Sequence, residues 1–148
     1  MEFSYFSDEV FMKQALQQAR LAYEAGEVPV GALIVCKNTI VAKAYNSVVQ
    51  LNDPTAHAEM MAISTAAEYL GSRYLSDCTL YVTLEPCPMC AGALFWSQIG
   101  KVVYAATDDK RGSGLFSPNL YHPKTQLQSG FLAEESTLLL KSFFKERR

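Results

Sequence analysis

The feature that most constrains this chain is a pair of cysteines three residues apart, Cys87 and Cys90, directly behind Pro86. A β-rich run, Thr79-Leu-Tyr-Val-Thr83, leads into it, so the pair sits where a strand gives way to a helix. Residues three apart share one helix face, so the two thiols converge on one point. The unpaired N–H groups of a first helical turn carry partial positive charge, which favours thiolate over thiol. A second helix start lies thirty residues earlier, at His57-Ala-Glu59. Zinc in a catalytic site takes three protein ligands and keeps one position for water. His57, Cys87 and Cys90 make up such a set, with Glu59 as the natural proton carrier. The pattern implies a zinc hydrolase. The competing reading is a closed, non-catalytic zinc knot, which needs a fourth protein ligand. His122, in the turn-like Tyr121-His-Pro123, or Cys36 or Cys78 would have to supply it.

At 148 residues the chain reads as one domain, 1–148, long enough to bury roughly 70% of its unfolded surface. Its longest apolar run, Val28 to Cys36, is interrupted by Pro29 and Gly31 and falls short of the ~18 residues that span a bilayer. No basic residue precedes an apolar segment in Met1–Asp8, so no secretory signal is expected and a cytoplasmic location is the default. Four cysteines in a chain of this size do not make a disulfide scaffold. Cys36 and Cys78 read as small buried hydrophobes beside strands. The net charge of −2 does not advertise nucleic-acid binding, but its distribution is uneven. Residues 1–100 hold 5 basic and 10 acidic side chains, whereas 101–148 hold 8 and 5. A basic tail of this kind suits phosphate, and it equally suits the carbonyl end of a terminal helix.

Ser7, followed by Asp8 and Glu9, reads as the cap of an amphipathic helix over 8–25 that Gly26 ends. Gly31–Cys36 and Thr39–Tyr45 read as strands joined by a tight Lys37-Asn38 turn. A polar loop, Asn46 to Pro54, leads to a helix over Ala56–Leu70, which places His57 and Glu59 in its first turn. Strand 79–83, a helix from Cys87 to Gln98 ended by Gly100, and a strand over Lys101–Ala105 follow. Residues 106–125 read as a long loop, with a short strand at Gln126–Ser129 and a last helix from Ala133 through Phe144. The order predicts an α/β fold, a three-layer α/β/α sandwich with helices on both faces of a mixed sheet.

Two thiolates and a neutral imidazole leave Zn²⁺ formally uncharged, yet still able to lower the pKa of a water from ~15.7 toward ~7. Glu59, two residues from a ligand, is placed to take the proton without binding the metal. Beside apolar walls its own pKa is expected to rise.

His57-Ala-Glu59 with Pro86-Cys-Pro-Met-Cys90 matches the His-x-Glu and Pro-Cys-x-x-Cys signature of the zinc deaminases. With Gly26–Ala32, Asn46, Asp53–Glu59, Thr79–Ala93 and Ile99–Val103, the chain resembles the cytidine/deoxycytidylate deaminase superfamily. Within it, the chain is most similar to bacterial deaminases that act on tRNA adenosine. The resemblance implies conversion of adenosine to inosine at the wobble position of a tRNA anticodon loop, with Glu59 as catalytic proton shuttle. It also implies that Asn46 bonds the flipped base or its ribose, and that Val30, Ala58, Leu84, Glu85 and Pro86 line the pocket. Asp108 and Lys110 match a stretch that meets the substrate strand, and Phe143 or Phe144 would stack on a loop base. The family forms homodimers bordering the active site, which makes Phe95 and Trp96 interface or core residues. Two departures stand out: Ser47-Val-Val follows Asn46 where Arg is usual, and His122-Pro-Lys-Thr125 replaces Asn-His-Arg. They keep open a deaminase of a free base or nucleoside, such as guanine or cytosine.

Overall fold

A computed structural model describes residues 7–116 and 119–147. Residues 1–6 of the N-terminal segment read for a leader, Ser117 and Pro118 of the long loop, and Arg148 of the basic tail lie outside the described residues. Helix α1 spans Asp8–Glu24, and Ser7 caps it by accepting the Val10 N–H at 3.2 Å. Gly26 ends it with φ +79°, while the Glu27 N–H reaches back to the Ala22 carbonyl at 2.9 Å. Strands β1 (Gly31–Cys36) and β2 (Thr39–Tyr45) form an antiparallel hairpin. Lys37 and Asn38 both take positive φ at its turn, the combination that matches the twist of a two-residue hairpin.

The remaining elements are α2 (Val48–Leu51), α3 (Ala58–Leu70), β3 (Cys78–Leu84), α4 (Pro88–Ser97), β4 (Lys101–Ala106), a 3₁₀ turn at Ser113–Leu115, β5 (Gln126–Ser129) and α5 (Ala133–Glu146). The sheet runs β2-β1-β3-β4-β5, antiparallel from β2 to β3 and parallel from β3 to β5. Its inner strands are buried on both faces, so consecutive residues feed opposite cores. Leu33, Val35, Tyr81 and Val103 pack on Phe11, Met12 and Ala15 of α1. Ala32, Ile34, Leu80, Val82 and Val102 pack on Ala58, Ala62 and Ala66 of α3 and on Ala91 and Leu94 of α4. Helix α5 lies on the α1 side, where the Ser136 hydroxyl donates to the Thr83 carbonyl at 2.6 Å. The result is the three-layer α/β/α sandwich expected from the order of elements.

Four local expectations are corrected. The Asn46–Pro54 loop contains the one-turn helix α2, because a distant carboxylate, Glu27, accepts the N–H groups of Val49 and Gln50 at 2.9 and 2.8 Å. Helix α3 begins at Ala58, so His57 is its N-cap and only Glu59 lies in its first turn. Helix α4 likewise begins at Pro88 with Cys87 as N-cap. It ends at Gln98, which takes φ +54° and serves as the C-cap in place of Gly100. Cys78 is buried at the start of β3, but Cys36, opposite it in register, is only half-buried.

Gly31 is where α1 and the sheet meet most closely. A Cβ there would lie 2.1 Å from the Ala15 carbonyl oxygen and 2.5 Å from the Ala19 nitrogen, both backbone atoms. Overpacking a core costs about 1–3 kcal/mol, and Gly31→Ala is expected at or above the middle of that range in urea unfolding. An unchanged midpoint would contradict the close approach of β1 and α1.

Candidate metal centre and substrate cavity

The first residue of β1, the last of β2 and the last of β3 meet at one edge of the sheet, and α3 and α4 both begin there. His57 and Cys87, as N-caps, hold extended backbone angles that turn their side chains across the helix starts. Cys90 follows one turn into α4 and is fully buried. His57 Nδ1 lies 3.7 Å from Cys87 Sγ and 3.6 Å from Cys90 Sγ. All three donor atoms fall within 4.8 Å of one another, and no other group of three or more such side chains gathers this way among the described residues.

A tetrahedral zinc with Zn–S of about 2.3 Å and Zn–N of about 2.0–2.1 Å sets its nitrogen and sulfur ligands roughly 3.6 Å apart. The observed separations fit that ion, with Nδ1 as the histidine donor. His122 caps a separate turn, its ring accepting the Lys124 N–H at 3.2 Å, and does not join the cluster. Cys36 and Cys78 lie at the opposite end of β1 and β3. Three ligands converge, and none of the other proposed fourth ligands reaches them.

The electrostatics of the cluster follow from shared protons. The Cys90 thiol donates to Cys87, which with the His57 contact holds Cys87 down to about 4. Cys90 itself is pushed far up by that bond and by burial. His57 is raised, chiefly by its bond to Cys87. Glu59, 4% exposed, is pushed up to about 7 by burial.

Around the cluster opens a cavity of about 980 Å³. Val30, Asn46, His57, Glu59, Leu84, Glu85, Cys87, Asp108 and Phe144 line it. Ala58 is buried beneath, its N–H donated to Asn46 Oδ1 at 2.8 Å, and Pro86 is buried with its carbonyl accepting the Ser113 N–H at 2.9 Å. Asn46 is thus fixed by its oxygen, which leaves its amide nitrogen as a donor. Phe143 is buried against Tyr23 and the Arg147 guanidinium, whereas its neighbour Phe144 is 52% exposed.

Sequence reasoning missed several of these walls. Glu27 and Val49 line one rim, and Leu140 and Arg147 line another beside Phe143 and Phe144, which the resemblance names. Glu27 was detectable as a lone acid entering the apolar run Val28–Cys36. The placement of α5 had no local signal.

Zinc binding here displaces the Cys90 proton and, below the raised pKa of His57, a second one. Both shifts are upward, so affinity is expected to fall as pH falls. Between pH 8 and pH 6 chelator competition should read about one to two decades of zinc affinity per pH unit, one decade for each proton displaced. An affinity flat with pH would contradict this proton inventory.

The model of the cytidine and deoxycytidylate deaminase zinc-binding region matches residues 6–106. The tRNA-specific adenosine deaminase of Aquifex aeolicus is 48% identical over 144 residues, covering 95% of each chain. That of Bacillus subtilis is 44% identical over 146 residues, covering 95% of this chain and 91% of its own. Among solved structures, one from a study of A-to-I editing by tRNA:A34 deaminases at the wobble position of transfer RNA superposes with a TM-score of 0.82 at 40% identity. It covers 88% of this chain and 98% of that one. A guanine deaminase from Nitrosomonas europaea superposes with a TM-score of 0.79 at 26% identity, covering 93% of this chain and 84% of that one. With its three converging ligands and buried carboxylic acid, the chain belongs to the cytidine and deoxycytidylate deaminase family and is a zinc-dependent deaminase.

Proposed function

We propose that this protein, a single deaminase domain over 1–148, hydrolyses adenosine to inosine at the wobble position of a tRNA anticodon loop, releasing ammonia. The observation that carries the substrate is the shape and charge of the cavity. It opens to solvent on one side, and its rim carries Lys110, Arg111 and Arg147 with the exposed ring of Phe144, while the acids Glu27, Glu85 and Asp108 of the same lining accept backbone N–H groups. A free base needs an enclosing pocket, whereas a single strand needs a cationic groove with aromatic faces for stacking. The full-length likeness to tRNA-specific adenosine deaminases points the same way.

His57, Cys87 and Cys90 would hold the zinc, which supplies the Lewis acidity that lets water act as a nucleophile at neutral pH. Glu59 takes the proton that water gives up as its oxygen adds to C6 of the base. With a pKa near neutrality it can pass that proton to N1, then take the proton of the new C6 hydroxyl and hand it to the departing amine, so that the C6 carbonyl forms, the C–N bond breaks and ammonia leaves. The Asn46 amide nitrogen donates to the base or ribose, and Val30 and Leu84 supply apolar walls. Asp108 turns the rim loop by accepting the N–H groups of Lys110 and Arg111, each at 3.0 Å. Trp96 is 78% exposed on the outer face of α4, edge-to-face with the half-buried Phe95. A second copy of the chain covers it in a homodimer, and with tRNA as substrate the enzyme works in the cytoplasm.

Anticodon stem-loop RNA with adenosine at the wobble position should yield inosine and ammonia, while guanine, adenosine and cytidine react far more slowly. Conversion of guanine with untouched RNA would replace the tRNA substrate by a free base. Glu59→Gln should retain its zinc yet lose at least about 100-fold in kcat, within the range for removing a general acid–base. Near-normal turnover in that variant would remove Glu59 from the chemistry.

A further inference from the structure

Glu85 stands between the last residue of β3 and the buried Pro86, and its side chain is 5% exposed. Its two carboxylate oxygens do not face the metal ligands. One accepts the Asp108 N–H at 3.0 Å and the other the Gly114 N–H at 2.7 Å. The segment between wraps it closely. A Cβ on Gly112 would lie 2.3 Å from one oxygen, and a Cβ on Gly114 would lie 2.8 Å from the other. A carboxylate with both oxygens accepting backbone N–H groups is a strong, charge-assisted anchor. Nothing in zinc or proton chemistry calls for it.

We propose that Glu85 is a positioning residue for substrate recognition. Its buried carboxylate holds segment 108–114 against the end of β3 and so sets Asp108, Lys110 and Arg111 on the cavity rim. The proposal rests on the RNA substrate argued above and adds what fixes the rim for that strand. Without Glu85 the N–H groups of Asp108 and Gly114 lose their partners and the segment loosens, while the zinc ligands keep their own supports. The loss falls on RNA binding and not on the chemical step.

The test uses full-length, zinc-loaded protein with Glu85→Ala, Gly114→Ala and the double variant. Zinc content is checked for each, with kinetics on the wobble-adenosine stem-loop and amide hydrogen exchange at Asp108 and Gly114. Gly114 is exposed, and a methyl there meets only the Glu85 carboxylate, so the two changes act through one contact. Glu85→Ala should speed exchange at both amides by at least about tenfold. It should also raise KM for the RNA by about tenfold while changing kcat less than about threefold, the mark of lost binding and not of lost chemistry. Gly114→Ala should raise KM in the wild-type background and add nothing in the Glu85→Ala background. Should Glu85→Ala fail to fold, Gly114→Ala carries the test alone through the same exchange and KM readings. Protected amides, an unmoved KM, a loss confined to kcat, or additive effects in the double variant would each overturn the proposal. Wild-type protein that converts guanine and leaves RNA untouched would overturn the RNA reading and this role with it. Wild-type protein that edits RNA alongside unmoved variants overturns the role of Glu85 alone.

Discussion

Two helices that begin at the same edge of one sheet are the constraint on which the rest depends. Strands β3 and β4 are parallel, so the chain must cross back between them, and α4 makes that crossing from the carboxyl end of β3. Helix α3 reaches the same edge from the other direction, after β2. Their N-caps, Cys87 and His57, thereby meet although thirty residues separate them in sequence. Cys90 adds its sulfur from one turn further along α4. The bonds that Cys87 accepts from Cys90 and His57, with the burial of Cys90, decide which sulfur carries charge before any metal arrives.

The surroundings of the centre are held by buried polar side chains that reach across the chain to backbone N–H groups. Glu27 takes two N–H groups of α2, Asn46 takes one from α3, and Glu85 takes two from the loop after β4. Such bonds cost little when both partners are satisfied and much when one is removed. No buried side-chain nitrogen or oxygen among the described residues lacks a partner. Short loops thus acquire fixed shapes without regular secondary structure of their own. Glu59 is the contrasting case: its burial raises its pKa instead of serving as an anchor.

The parts legible in the sequence are those set by local pattern. The hairpin boundaries followed from two strand-forming runs on either side of the tight Lys37-Asn38 turn, and the Ser7 cap from the acids behind it. That Phe143 and Phe144 would diverge follows from helical geometry alone. What escaped was whatever depended on partners far along the chain. Helix α2 forms because Glu27 accepts its N–H groups from more than twenty residues away. Helix α3 starts later than its composition suggests because Asn46 takes the Ala58 N–H. Gly100 stays out of the helix cap because it is pressed against the Ser76 carbonyl, where only a glycine fits, and Gln98 takes the strained angle instead. Helix α5 as a cavity wall is a matter of tertiary placement, which no window of residues encodes.

The hairpin turn at Lys37-Asn38 lies at the other end of β1, six residues or about 20 Å of strand from the metal centre. The loops that line the cavity gather on one rim of the sheet, and this opposite rim carries the two-residue turn. A dye, an affinity handle or a fused binding module grafted at that turn would sit on the molecule's blind side. The architecture leaves one end free to be tethered while the other keeps working.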